Sequence, residues 1–177
     1  PLGDGGAAAL IGTREMAERM GKRPVKVETS VLATFGFPDK DGPATYVNAA
    51  KQAYKEADVS PGDIQVVEMH DAVSPIELYL MEKLGLCGPG ESGKMIQDRE
   101  TWFDGRLPIN TSGGLTAKGH PAGATGISQA AEIVWQLRGE CEGRQVKPLP
   151  DLGMVENGGG NVAGQTAAVA VHILRGE

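Results

Sequence analysis

The 177-residue sequence predicts an α/β fold, and three observations carry that prediction. Apolar residues recur at every second position in some segments and at steps of three and four in others, and the two patterns alternate along the chain. Glycine (26) and proline (11) separate those segments as tight turns. Hydrophobic residues still make up 40% of the chain, enough for one packed core at this length, so the sequence is globular rather than disordered.

The elements follow in order. Residues 7–11 form a short apolar run that reads as a strand, and Thr13 caps a short helix over 15–20 that Gly21 stops. Residues 25–33 alternate at Val25, Val27, Thr29 and Val31 as a half-buried strand does, and a loop over 37–43 follows. Over 45–57, Val47, Ala50, Tyr54 and Ala57 mark one stripe of an amphipathic helix. Pro61-Gly62-Asp63 turns the chain into a strand over 64–67, which ends at Glu68-Met69-His70-Asp71. Ser74-Pro75 then open a helix that covers 76–84 before Gly85. Residues 88–105 read as an excursion loop and 107–110 as a brief strand. Small residues dominate 111–126, so something must approach that backbone closely. A helix over 127–137 carries Ile127, Ala130, Ala131, Val134 and Leu137 on one face. The chain closes with a loop over 144–150, a strand over 153–155, a turn over 156–161 and a buried strand over 167–174.

Composition excludes several classes of function. Lys and Arg number 17 against 23 Asp and Glu, a net charge of −6, which argues against a general nucleic-acid surface. No apolar run approaches the roughly 18 residues of a membrane span, and no signal segment opens the sequence. Cys87 and Cys141 supply neither a disulfide framework nor paired metal-ligand spacing, so the expected setting is the reducing cytoplasm.

Two histidines stand where a catalyst would place them. His70 lies just past the end of a strand, the side on which open α/β sheets bind ligands, and His120 lies in a glycine-rich loop between strand and helix. Each is equally compatible with a structural role. His172 sits inside the closing strand and reads as structural. The run Glu156-Asn157-Gly158-Gly159-Gly160 could offer backbone N–H groups to an anion or simply join two strands. Gly158-Gly159-Gly160-Asn161-Val162-Ala163 approximates a dinucleotide fingerprint, but the β-rich segment 167–174 follows it where a helix is required, which rules that reading out. No metal site is expected, because no HExxH occurs and neither cysteine has a partner at ligand spacing. Asp71 beside His70 is a candidate to orient an imidazole.

These motifs carry a resemblance. The segment from Asn110 through Gly119-His120-Pro121 to Gly126 resembles the Gly-His-Pro region of the thiolase superfamily. His70-Asp71-Ala72-Val73 is similar to the His-Asp-Cys-Phe motif of the sterol carrier protein x type thiolases, where other thiolases have Asn-Glu-Ala-Phe. Trp135 to Glu140 and Leu84 to Cys87 match the same branch.

The resemblance implies a thiolase-like fold with a mixed five-stranded sheet covered by helices. Residues 1–22 would be the last strand and helix of the N-terminal half, and 23–177 the C-terminal domain. It implies acyl transfer between coenzyme A thioesters, by thiolytic cleavage of a 3-ketoacyl-CoA or by the reverse condensation. His120 would activate the nucleophilic cysteine and help bind an oxyanion, and His70 would move protons at the substrate. Asn157 takes the position of the second cysteine of other thiolases, and Gly159 lines an oxyanion hole through its N–H. The sterol carrier branch has His-Asn where this sequence has Glu156-Asn157. No cofactor is bound covalently, the coenzyme A thioester being substrate, and no residue of this chain is assigned to it. Neither Cys87 nor Cys141 has a nucleophile-like context, so the nucleophile is expected from a complementary N-terminal half, within a homo-oligomer of the complete enzyme. The isolated chain is then expected to be inactive. The alternatives are an acyl-CoA retro-aldolase, or a binding or scaffold subunit. If the two histidines converge, their ring nitrogens should lie within roughly 10 Å.

Overall fold

The computed structural model describes residues 2–34, 45–162 and 165–177. In chain order the elements are α1 (Arg14–Arg19), β1 (Val25–Thr34), α2 (Thr45–Ala57), β2 (Val66–Glu68), α3 (Ser74–Lys83), α4 (Ser92–Gln97), α5 (Gly114–Lys118), α6 (Thr125–Arg138), β3 (Leu152–Val162) and β4 (Gln165–Gly176). The strands lie in the order β1-β4-β3-β2. Strand β4 runs antiparallel to β1 and β3, whereas β2 runs parallel to β3, so the sheet is mixed as expected.

Alternation along β3 sends successive side chains to opposite faces. Leu152 and Met154 join Val169, Val171 and Ile173 of β4 and the alanines Ala49, Ala50 and Ala53 of α2 in the larger core. Burying each of the larger aliphatic side chains contributes about 1.5–3 kcal/mol. On the other face Val155 packs with Val66, Leu174, Ile133 and Leu137 beneath α6. That helix comes close because Gly153 has no side chain, since a Cβ there would stand 2.6 Å from Ile133 Cγ2. The parallel pairing of Glu68 with Val155 brings the carboxyl end of β2 beside the middle of the longer β3. Residues just past Glu68 are therefore neighbours of Glu156 and Asn157. Among the described residues no helix is long and apolar enough to cross a membrane.

Four expectations change. Residues 7–11 form no strand, and Leu10 and Ile11 are 74% and 86% exposed. A strand is held by a ladder, and no described strand lies beside this segment, whose neighbourhood makes only a bridge from Leu2 to His120. The brief strand over 107–110 shrinks to an isolated bridge between Ile109 and Val67, because Pro108 has no N–H to extend the pairing. The described sheet consequently has four strands rather than five. The excursion over 88–105 contains α4, whose buried Met95 docks into the larger core. Residues 156–161 are not a turn but the second half of β3, paired through Gly159 opposite Ala168 and Asn161 opposite Thr166. The expected loop over 37–43 lies outside the described residues.

Candidate active site

His70 and His120 meet. Their ring centroids lie 4.8 Å apart with the planes at 64°, an edge-to-face contact that keeps the ring nitrogens of both within reach of one small group. The end of a sheet strand and the loop after a short helix bring them there. Past the end of β2, Met69 donates its N–H to Asn110 Oδ1 at 2.9 Å and His70 donates its own to Glu156 Oε2 at 3.0 Å. His120 follows α5, in a loop entered through Gly119 at φ +89°, a left-handed conformation that suits glycine.

Thr125 engages one of the two His120 nitrogens and leaves the other unbonded by Thr125. The Thr125 hydroxyl donates its one proton to Pro121 O at 3.1 Å and lies 2.7 Å from His120 Nδ1. With the hydroxyl donating to Pro121 O, the tautomer that fits is the one in which Nδ1–H donates to Thr125 Oγ1 and Nε2 carries the lone pair. Burial lowers the pKa of His70, and the nearby His120 lowers it further, against the opposing pull of Asp71, the Asn157 side chain and the Gly158 backbone. A histidine so placed favours its neutral form more than an ordinary imidazole does.

Asn157 stands beside the pair. Its Nδ2 donates to Gln129 Oε1 at 2.7 Å, tying β3 to α6. Three buried polar atoms around this site have no partner: His70 Nδ1, Gln129 Nε2 and Glu156 Oε1. Gly159 lies further along β3, exposed, with nothing within 4 Å of where a Cβ would stand. His172 is apart from the pair, in β4 opposite Val155 and Ser30, where burial lowers its pKa.

Asp71 does not orient an imidazole. Its carboxylate accepts from the backbone N–H groups of Leu115 at 2.6 Å and Thr116 at 3.4 Å, while the Thr116 hydroxyl donates to Asp71 O at 2.7 Å. These bonds pin α5 against the segment that follows His70. A side chain at Gly114, where φ is +62°, would collide with that carboxylate. Asp71 thus couples the two loops that carry the histidines. Sequence reasoning missed Thr125, Gln129 and the structural use of Asp71, because their partners are backbone groups or residues on other elements.

A second buried polar cluster lies beneath the far half of α6. Glu68 accepts from Ser112 N at 2.9 Å and Ser112 Oγ at 2.7 Å, and burial pushes its carboxyl up to about 7. Burial acts on Glu132 in the same direction, but the Arg144 guanidinium, donating at 2.9 to 3.2 Å to both oxygens, outweighs it and holds that carboxyl below its ordinary value. Cys141 faces Glu132 at 3.5 Å, and burial with that neighbouring charge pushes its thiol up to about 12. Burial likewise raises the Cys87 thiol, which packs against the larger core. Both thiols are poor nucleophiles. Among the described residues no group of His, Cys, Asp and Glu has a metal-ligand arrangement.

Known proteins resemble this chain in sequence and in fold. Residues 39–172 match the family described as thiolase C-terminal domain-like. The chain is 46% identical over 177 residues to an acetyl-CoA acetyltransferase of Methanothermobacter thermautotrophicus, covering 97% of this chain and 45% of that protein. It is 38% identical to the sterol carrier protein 2 of Rattus norvegicus, over 82% of this chain and 28% of the relative, and 35% identical to the benzoylsuccinyl-CoA thiolase subunit BbsB of Thauera aromatica, over 90% and 43%. The chain therefore spans less than half the length of these relatives. Among solved structures, the Ltp2-ChsH2(DUF35) aldolase shares the fold at a TM-score of 0.72 and 22% identity, over 88% of this chain and 40% of that one. With 134 consecutive positions matched, from 39 to 172, the chain belongs to the thiolase C-terminal domain-like family.

Proposed function

We propose that this chain supplies the acid–base half of a thiolase active site, acting on coenzyme A thioesters of 3-keto acids or on acetyl-CoA. The observation that carries the reading is the facing pair His70 and His120, 4.8 Å apart. Residues 23–177 would be the C-terminal domain and residues 1–22 the end of the preceding half. The nucleophilic thiol comes from the complementary half, as a further part of the same polypeptide or as a second chain. That assembly is the complete enzyme.

In cleavage, His120 Nε2 takes the proton of the thiol, and the thiolate attacks the 3-keto carbon. The carbon–carbon bond then breaks, its electron pair passing to the acetyl-CoA enolate, and an imidazolium of the pair protonates the enolate carbon. Coenzyme A next gives its thiol proton to the pair, and its sulfur displaces the acyl group from cysteine, restoring the resting state. His120, once protonated, is also a donor to the oxyanion, joined by the Gly159 N–H. Asn157 titrates nowhere near neutrality, so it cannot stand in for the second cysteine as a proton carrier and is left to hydrogen bonding. The low pKa of His70 suits a group that must hand its proton on.

A retro-aldolase would share the fold but would give the His120 lone pair no thiol to deprotonate. The test is thioester turnover by the complete enzyme. His120→Ala should lower kcat about a hundredfold or more, His70→Ala by a comparable factor. An unchanged rate in either variant would remove that histidine from the mechanism.

A further inference from the structure

Glu156 is a buried titratable side chain at the site to which neither the proposed chemistry nor the coupling of the two histidine loops by Asp71 assigns a task. It is 0% exposed, and it lies on β3 on the face opposite Asn157. One carboxyl oxygen, Oε2, accepts the His70 backbone N–H at 3.0 Å. The other, Oε1, has no partner. No salt bridge among the described residues includes Glu156.

We propose that Glu156 is a positioning residue for His70, gripping its backbone N–H from the far side of the sheet and so setting the place of the imidazole against His120. The inference rests on the catalytic reading of His70 given above. A residue two positions past the end of a three-residue strand has no ladder to hold it. The Glu156 carboxyl supplies the missing acceptor, as Asn110 Oδ1 does for Met69.

The surroundings decide in which form the group works. The titratable groups packed on this face are Tyr46 of α2, whose phenol is raised chiefly by burial and in part by Glu156, and Tyr79 of α3, edge-on to Tyr46. Glu77 of α3 is itself raised by burial and bonded to Asn110, and Asp71 is engaged by α5. None of these is a cation. Burial therefore pushes the Glu156 carboxyl up to about 8, against the His70 N–H that favours its charged form. At neutral pH the group is mainly the uncharged acid. It holds His70 without placing a negative charge beneath the imidazole, which would raise the histidine pKa and make its proton harder to release.

An uncharged acceptor has a close mimic in glutamine. Deuterium exchange at histidine C2, read residue by residue by mass spectrometry on the complete enzyme across pH, gives the His70 titration without any substrate, with His172 as internal reference. Glu156→Gln should leave the His70 midpoint within about 0.3 pH unit of wild type and kcat within about threefold. Glu156→Ala should move the midpoint up by about half a unit or more as the loop admits water, and lower kcat about tenfold while KM changes less than threefold. A midpoint that ignores Glu156→Ala, or one that moves as far in Glu156→Gln as in Glu156→Ala, overturns the proposal. The two readings fail separately. A His70 that responds to Glu156 in an enzyme that turns over no thioester refutes the thiolase chemistry alone, and a His70 needed for turnover but indifferent to Glu156 refutes the positioning role alone.

Discussion

The two buried polar clusters under and beside α6 are built from similar residues and differ in one respect. Around Glu68 and Glu132 every described buried side-chain donor and acceptor has a partner: Thr111 and Ser112 donate to Glu68, Arg144 binds Glu132, and Gln136 Oε1 accepts from Val146 N and Gln145 Nε2. Around His70 and His120 three buried polar atoms are left over. An unmade buried hydrogen bond costs about 1–3 kcal/mol, so a fold keeps such atoms where something else uses them. The satisfied cluster is scaffold, and the unsatisfied one is where substrate and a thiol are expected.

That contrast is open to attack from the scaffold side. Arg144→Ala should leave the buried Glu132 without its cation and destabilise the fold by about 2 kcal/mol, a figure below that of fully buried pairs because the Arg144 side chain is 41% exposed. Chemical denaturation measures it. The His70 titration should stay in place, because Arg144 touches neither histidine. A shift of His70 in this variant would mean that the two clusters are one network.

A smaller effect is a change of slope with pH. The carboxyls of Glu68 and Glu156 are raised by folding, to about 7 and about 8, so their protonated forms favour the native state. That contribution is complete below the ordinary carboxylate value of 4.5 and is lost as pH rises through the folded values. His70 and His172, lowered by burial from 6.5, act the other way: the unfolded chain takes their protons first, so they cost stability as pH falls below that value. The carboxyl effect is thus cleanest above the histidine window. Stability should decline between pH 7 and 8.5, and Glu156→Gln should flatten the upper part of that decline more than Glu68→Gln does. Equal slopes in all three proteins would show that neither carboxyl is protonated at neutrality.

Much of this architecture is legible in sequence because it depends on local periodicity. The stripe of α2, the alternation of β1 and the placement of both histidines at element ends need no knowledge of distant partners. The misread segments depend on such partners. Glycines 158–160 look like a turn, but Gly158 is needed inside β3, where a Cβ would stand 2.6 Å from the Tyr46 hydroxyl. No local signal marks them as strand, because the pairing of Gly158 with Val169 and of Gly159 with Ala168 in β4 shows only in the fold. Residues 7–11 have the apolar run of a strand, and only a ladder would make them one. Asp71 binds amides of Leu115 and Thr116, some 44 residues on, and a backbone donor leaves no mark in a sequence.

In the proposed reaction His120, held through Nδ1 by Thr125, takes the proton of a thiol at Nε2. Alkylation of the nucleophilic cysteine of the complete enzyme, followed as a function of pH, reads that step directly. Wild type should alkylate with a midpoint well below the ordinary thiol value of about 8.5, and His120→Ala should carry the midpoint back toward it. Identical profiles for the two proteins would contradict the assignment of this site.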